Sequence, residues 1–438
     1  MISKANANRV GLASVEDLAD VGTALANANS ALTIANAAAV SADVKTLRRL
    51  LSEAVVLNDL TATFTRASSA YDPEKGVVVG NNVRRRKNLS PFAGLVINAD
   101  LIEHSQTNRI LYSDDLTNAA WVSTGITVTA NAYPAPSPGG QLVASRLTAT
   151  AANATLIQAV TNGDQPRRIS VWMRRVTGVG AVSINIGGTL QAVALTSDWK
   201  QFQTGAWWGA GANLSFGFKI ATSGDVVDVW APNYNEYNYS TDSDAGITSY
   251  LPTTSAAVSR NADVLDVSLS SLPGGGLNRR EGTLLALYEN GAFVHNNLFF
   301  ADTVGGAANR WTLYYTGGFF AAHPYAAGAS QNQRAISSTG NMRSPWGRNY
   351  ILDSWNVGNV STAAGQAATS RYGVTYAAGN AASSVQAGAP TEFYDALTSV
   401  RVGSKYDGNQ ALDGYVALLY WPRALSATEF DTLRLNLF

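Results

Sequence analysis

The chain has 438 residues, with Lys+Arg 31 balanced by Asp+Glu 31 and no cysteine. Charged residues make up only 14%, against roughly 25% in an ordinary soluble protein. Disulfide scaffolds and thiolate metal sites are thereby excluded. Binding to nucleic acid through bulk positive charge is not expected either, because there is no excess charge to meet phosphates.

Residues 1–60 are Ala-rich and hold no aromatic residue and no proline. Neither an apolar leader core nor a run of membrane-spanning length is visible, so no secretory peptide and no membrane insertion are expected. Ser14 to Asp17 reads as a helix start. A heptad seam follows at Leu18, Val21, Leu25, Ala28, Leu32, Ala35 and Ala39, then slips by one position and resumes at Val40, Val44, Leu47 and Leu51. A continuous helix over 14–58 would be a rod of roughly 70 Å. Its apolar stripe is too narrow for one copy to bury alone. The segment is read as an oligomerisation and attachment stalk, the alternative being a helical hairpin on the body, which Gly22 favours.

From about Leu60 the pattern becomes short alternating strands. Ile169-Ser170-Val171-Trp172-Met173, Ala181–Ile186, Leu214–Phe218 and Val226-Val227-Asp228-Val229-Trp230 are clear cases. Strands at this spacing without helices between them indicate antiparallel sandwiches. Residues 61–268 are assigned to a first sandwich of jelly-roll type, with 61–108 as lead-in strands. Residues 269–276, including Pro273-Gly274-Gly275-Gly276, read as a linker. Residues 277–438 are assigned to a second sandwich. It ends in the strand Leu412–Trp421 and a short helix opened by the capping box Ser426–Glu429. The fold class expected is therefore mainly β, an α-helical coiled-coil-like stalk followed by two antiparallel β-sandwiches.

Three stretches resemble modules of bacteriophage tail and virion proteins. Thr65-Arg66-Ala67-Ser68-Ser69-Ala70-Tyr71 with Asn108-Arg109-Ile110-Leu111-Tyr112-Ser113-Asp114-Asp115 is similar to their opening, Asp114 standing where Glu is usual. Val227–Pro232, Thr248-Ser249-Tyr250-Leu251-Pro252-Thr253 and Val258-Ser259-Arg260-Asn261-Ala262-Asp263 resemble the close of the same modules, which are similar to carbohydrate-binding jelly rolls. Val402-Gly403, Leu412-Asp413-Gly414-Tyr415 and Pro422–Ser426 resemble the C-terminal signature of laminin-G or concanavalin-A-like domains. The usual small turn is replaced by Ala231-Pro232, and no intact laminin-G calcium set is identifiable.

The resemblance implies a virion structural protein: a homotrimeric tail fibre or receptor-binding protein adhering to host-surface polysaccharide. Its N-terminal region would attach to other virion proteins, it would assemble in the host cytoplasm, and it would need no cofactor and no metal. The alternatives are a head fibre or decoration protein, a tail-associated depolymerase and, more remotely, a bacterial surface lectin.

The motifs also have a local reading. Asp413-Gly414 makes a tight turn or bulge in a strand that pairs with its domain's first strand, and Pro422–Leu425 ends that strand. Candidate glycan contacts are aromatic residues beside amides, because sugar rings pack on aromatic faces. They are Trp208 of the Trp207-Trp208 pair, Tyr234, Tyr237 and Tyr239, and Tyr315, His323, Tyr325, Trp346 and Trp355 in the second sandwich. The competing reading for each is packing or a subunit interface.

Chemistry of other kinds has thin support. Asp114, Asp115, Glu236, Asp242 and Asp244 single out no glycosidase pair. His104, His295 and His323 are isolated. Asp242-Ser243-Asp244 is a polar turn rather than a calcium loop. Arg84-Arg85-Arg86-Lys87 is read as a solvated loop or as the partner of acidic groups across an oligomer interface.

Overall fold

The computed structural model describes residues 30, 43–90, 92, 94–133, 144–160, 167–204, 214–236, 248–278, 281–290, 297–303, 310–316, 319–326, 329–330, 334–337, 348–356, 369–375, 381–387, 398–404, 413–426, 428–429 and 432–433. Two compact units divide the chain: 1–54 with 426–438, and 55–425.

In the first unit residues 43–53 are helical. Leu47, Leu50 and Leu51, at i, i+3 and i+4, share one helix face and are buried within the single chain, whereas Val44 is 40% exposed. The narrow stripe is thus partly covered without a second copy. Leu18, Val21, Leu25, Leu32 and Val40 lie outside the described residues. Arg49 bridges Glu53 at 2.6 Å and Glu429 at 3.0 Å. The capping box forms reciprocally: the Ser426 N–H donates to Glu429 at 3.0 Å and the Glu429 N–H to the Ser426 hydroxyl at 3.3 Å.

The second unit is mainly antiparallel β, in two pairs of sheets each enclosing a core. One pair spans widely separated parts of the chain. Its first sheet runs, in order, Ala381–Ala387, Thr369–Thr375, Arg348–Asn356, Glu281–Asn290, Gly414–Trp421, Asn98–Ile102 and Arg86–Asn88, with Val55–Val56 also on Gly414–Trp421. Its second runs Ala62–Thr65, Val264–Ser268, Ser399–Val402, Asn297–Thr303, Arg310–Thr316, Phe319–Ala326 and Ala329–Ser330, with Arg334–Ser337 on Phe319–Ala326. Leu284, Tyr288, Val416 and Leu418 from the first sheet meet Leu265, Val267, Val400 and Val402 from the second. The strand Gly414–Trp421 is buried at every position, which its unbroken apolar run Val416–Trp421 requires. It pairs with Glu281–Asn290, the first strand after 277, as the motif implied. Gly403 has φ +70°, and a Cβ there would lie 2.9 Å from Ile102 and Val416, so this turn demands glycine.

The other pair is inserted between the strands Asn98–Ile102 and Val264–Ser268. Its outer sheet runs Lys200–Gln203, Arg167–Thr177, Val226–Glu236, Ala144–Ala149 and Ile126–Tyr133, with Gln106–Asn108 joining Val226–Glu236 to Val258–Arg260. Its partner sheet runs Thr189–Val193, Val182–Ile186, Leu214–Ile220, Ala154–Val160 and Val122–Thr124. Ile169, Val171 and Met173 point into the core with Phe216 and Phe218, as the alternation requires. Trp121 closes one side, 5.9 Å from the Phe216 ring and 6.3 Å from that of Phe218.

Three expectations are corrected by this topology. The strands in 61–108 do not lead into the inserted sandwich: those at 62–65, 86–88 and 98–102 extend the sheets that hold the C-terminal strands. Residues 269–276 do not link domains. Leu269, Leu272 and Leu277 are buried in a core shared with both neighbouring strands, and the Leu272 and Gly275 amides close tight turns at 3.0 and 2.8 Å. The basic run is neither solvated nor reserved for another subunit. Arg84 pairs with Asp100, Arg86 with Asp59, Lys87 with Glu289 at 2.6 Å, and Arg85 is fully buried in an ionic cluster.

Candidate functional site

The familiar motifs converge, but not on an exposed site. Arg66, Arg85, Glu103, Arg260 and Asp263 sit at the ends of five strands where the inserted sandwich leaves and rejoins its host, and all are buried. Arg66 donates to Asp263 at 3.0 Å, and Arg85 reaches both Asp263 and Glu103, the latter at 2.6 Å. Arg260 also meets Glu103 at 2.6 Å, and the Ser249 hydroxyl donates to Glu103 at 2.7 Å. His104 Nδ1 lies 2.6 Å from Asp413, whose φ of +55° places it in the left-handed turn before Gly414. Three guanidiniums thus face the two carboxylates of Glu103 and Asp263, with the charge of Asp413 also felt by Arg260, and burial makes each of these pairings necessary. Burial alone would push the Glu103 carboxyl up. Arg260 and Arg85, with Ser249, override it and hold the group below its usual range. This cluster ties the chain together and offers nothing to a ligand.

Asp114 is likewise engaged by the fold. Burial pushes its carboxyl up, while the Tyr250 hydroxyl donates to it at 2.6 Å. Asp115 accepts from the Thr117 amide at 3.1 Å. Asp242 and Asp244 lie outside the described residues, and among the described residues no group of three potential metal ligands occurs.

A different surface has the features of a site: the outward face of the inserted sandwich's outer sheet. In the strand Arg167–Thr177, residues alternating with the core positions put Trp172 and Arg174 on this face. In Val226–Glu236 the same parity puts Asp228 and Trp230 there. Register then assembles two rows. Gln201, Trp172 and Trp230 stand side by side, as do Arg174, Asp228, Arg146 and Thr129.

Trp172 and Trp230 lie 6.3 Å apart with planes tilted by 43°. Tyr71 and Tyr250 pack edge-on against Trp230, at 6.3 and 6.0 Å, and bury it. Trp172 and Trp199 pack on this cluster but stay half-buried. The Arg174 guanidinium sits 5.0 Å over the Trp199 ring, a cation–π arrangement. Asp228 is fully buried between Arg146, at 2.8 Å, and Arg174, at 2.9 Å. The indole N–H of Trp230 is buried without a hydrogen-bond partner among the described residues. Aromatic rings framed by polar groups suit a ligand with one apolar face and polar edges.

Only some of the sequence candidates can be placed. Tyr234 is fully buried in the core of the inserted sandwich. A ring without an exposed face cannot stack on a sugar, so Tyr234 leaves the set. The cause is a β-bulge between Trp230 and Asn233, with Ala231 at φ +52°, which shifts parity so that Tyr234 points inward. Trp208, Tyr237, Tyr239 and Trp346 lie outside the described residues. Tyr315, His323, Tyr325 and Trp355 fall on strands, Tyr315 opposite Phe320 and Trp355 opposite Gly282, and their side chains lie outside what is described. Trp172, Trp199, Arg146, Arg174 and Asp228 were missed as site residues. The available signal was an aromatic at the polar parity of an alternating strand, Trp172 between Ser170 and Arg174.

The fold and face define a mainly β chain with two antiparallel sandwiches, one inserted in the other. No protein-family model matches the sequence, and no curated protein matches it. A solved structure similar in part is the crystal structure of the receptor binding domain of botulinum neurotoxin C/D mosaic serotype, at 9% identity and a TM-score of 0.25. The match covers 40% of this chain and 40% of that one. A likeness at that level says nothing about what this chain binds. Among the described residues no helix is long and apolar enough to cross a membrane.

Proposed function

We propose that this chain is a bacteriophage virion protein, a homotrimeric fibre or receptor-binding subunit that adheres to host-surface glycan without cleaving it. The observation that carries the binding part is the half-buried pair Trp172 and Trp199 on a sheet face framed by Gln201, Arg146 and Arg174. Pyranose rings stack on such a platform while their hydroxyls meet the polar frame. The virion assignment rests on the sequence motifs, and the attachment of the N-terminal region to other virion proteins rests on its heptads. Weak single-site contacts would gain strength when three copies engage one surface.

The test is a glycan array probed with the full-length protein, its Trp172→Ala and Trp199→Ala variants, and light scattering on the same sample. Binding lost in both variants, from a particle of three chains, supports the reading. A monomer in solution, or array binding untouched by both substitutions, would overturn the corresponding half. Host polysaccharide incubated with the protein is expected to show no new reducing ends.

A further inference from the structure

We infer that the outward face of the inserted sandwich's partner sheet is an interface with a second copy of this chain. That sheet, from Thr189–Val193 across to Val122–Thr124, lies on the far side of the core from the aromatic face. The inference rests on the reading of the chain as a homo-oligomer and deepens it by giving the contact a place.

Patterning is the first ground. Phe216 and Phe218 point into the core, so Gly217 and Lys219 on the same strand face outward. Register carries that face across five strands: Val122, Ile157, Gly217, Asn185 and Leu190 form one row. Val122 is 64% exposed and Leu190 45%. Gly217 is required by the sheet itself, since a Cβ there would lie 2.0 Å from the Leu156 carbonyl oxygen, and it leaves the middle of the row flat. The Asn185 side-chain oxygen is already engaged, accepting from the Gly188 amide at 3.0 Å. In the adjoining row Thr155 and Ser183 flank Lys219, the sole charge in the two rows. A sheet face that stays in water is ordinarily polar. The sheet's margins repeat the pattern. Thr189–Val193 is exposed at its first four positions and Val122–Thr124 at all three. Edge strands are ordinarily guarded by charge, proline or a bulge, and neither of these has any of the three.

Charge and chemistry name the occupant. The two rows hold no aromatic ring for a sugar to stack on, and one lysine is too little to hold an anionic membrane. A second copy fits, because the chain carries 31 basic and 31 acidic residues and neutral copies do not repel. Leu47, Leu50 and Leu51 are buried within the single chain, so that stretch of helix does not supply the contact between copies. Size is the third ground. The face measures about 24 Å across the strands and about 18 Å along them, roughly 400 Å². A standard interface takes about 800 Å² from each partner, so one such contact holds a pair only weakly. In a closed ring every copy is held twice, which suits a trimer better than a dimer.

The chain has no cysteine, so a single introduced thiol reports on one spot. The experiment uses the full-length protein carrying Leu190→Cys, Val122→Cys or Val96→Cys, labelled with a soluble maleimide, with light scattering on the same samples. Val96 lies off this face and is 55% exposed, close to the other two. In the assembled particle Leu190→Cys and Val122→Cys are expected to react at least about tenfold more slowly than Val96→Cys, because labelling waits for the contact to open. Once dilution has separated the chains, all three should react alike. Val122→Glu combined with Leu190→Glu buries two carboxylates in the contact, and is expected to raise the concentration at which the particle falls apart by at least about tenfold. If that double variant melts early, the thiol comparison carries the test.

Equal labelling of all three positions in an assembled particle, or assembly untouched by the two glutamates, would overturn this interface while leaving the oligomer standing. A particle of two chains with both thiols shielded supports the interface and overturns the trimer. A monomer at every concentration overturns both.

Discussion

The junction cluster and the outer face of the inserted sandwich are built from the same residue types in opposite settings. At the junction Arg66, Arg85 and Arg260 are completely buried with Glu103 and Asp263. On the face Arg146 and Arg174 grip a buried Asp228 yet keep part of their own surface in water. Water access makes the difference: a fully buried ion pair is a structural commitment, whereas a half-buried guanidinium beside an aromatic ring still has something to offer.

The sharpest way to break this comparison is at Asp263, which touches both Arg66 and Arg85. Asp263→Asn leaves two buried guanidiniums short of charge. It is expected to cost about 3–5 kcal/mol and to lower the midpoint of urea unfolding accordingly. Asp228→Asn makes the parallel change on the face. Its two arginines can turn to solvent, so a smaller loss of about 1–2 kcal/mol is expected. If the Asp228 variant proves the more damaging, the face is a structural cluster and loses its standing as a site.

How much of this was legible in the sequence follows from the range of the interactions. The alternation around Val171 and around Val227 fixed strands and parity correctly, since a strand's faces are a local property. The capping box at Ser426–Glu429 was equally local. The nesting of the sandwiches was not legible, because its contacts join distant residues: Asn58 with Leu418, His104 with Asp413, Arg85 with Asp263. Composition along the chain shows no sign of such pairings. Pro273–Gly276 read as a linker because turn chemistry reports only the bend, whereas Leu269, Leu272 and Leu277 decide that the bend is packed. The aromatic face was half legible. Trp172 sat at polar parity in plain view, but Tyr234 was misplaced by a single bulged residue that no alternation count reveals.

Acid sharpens the comparison further. The Glu103 carboxyl is held below its ordinary range in the folded chain. A depressed value contributes stability that is present above the unfolded value of about 4.3 and is lost as pH falls through the folded one. Denaturation midpoints recorded downward from neutral pH should therefore decline at acid pH. Glu103→Gln should flatten that decline while lowering stability at neutral pH.

The smallest expected effect has the opposite sign. Burial raises the Asp114 carboxyl in the folded chain, against the pull of the Tyr250 hydroxyl. A raised value means stability fully present below the unfolded value of about 3.9 and lost as pH rises through the folded one. At neutral pH the charged Asp114 thus works against the fold, unlike Glu103. Asp114→Asn keeps an oxygen to accept from Tyr250 and removes the partly buried charge. It is expected to raise stability at pH 7 by up to about 1 kcal/mol, with no gain well below pH 4, read from unfolding midpoints at the two pH values. A loss at pH 7 instead would mean that the Tyr250–Asp114 bond needs the carboxylate's charge, and that the two acids of this unit are held by the same principle after all.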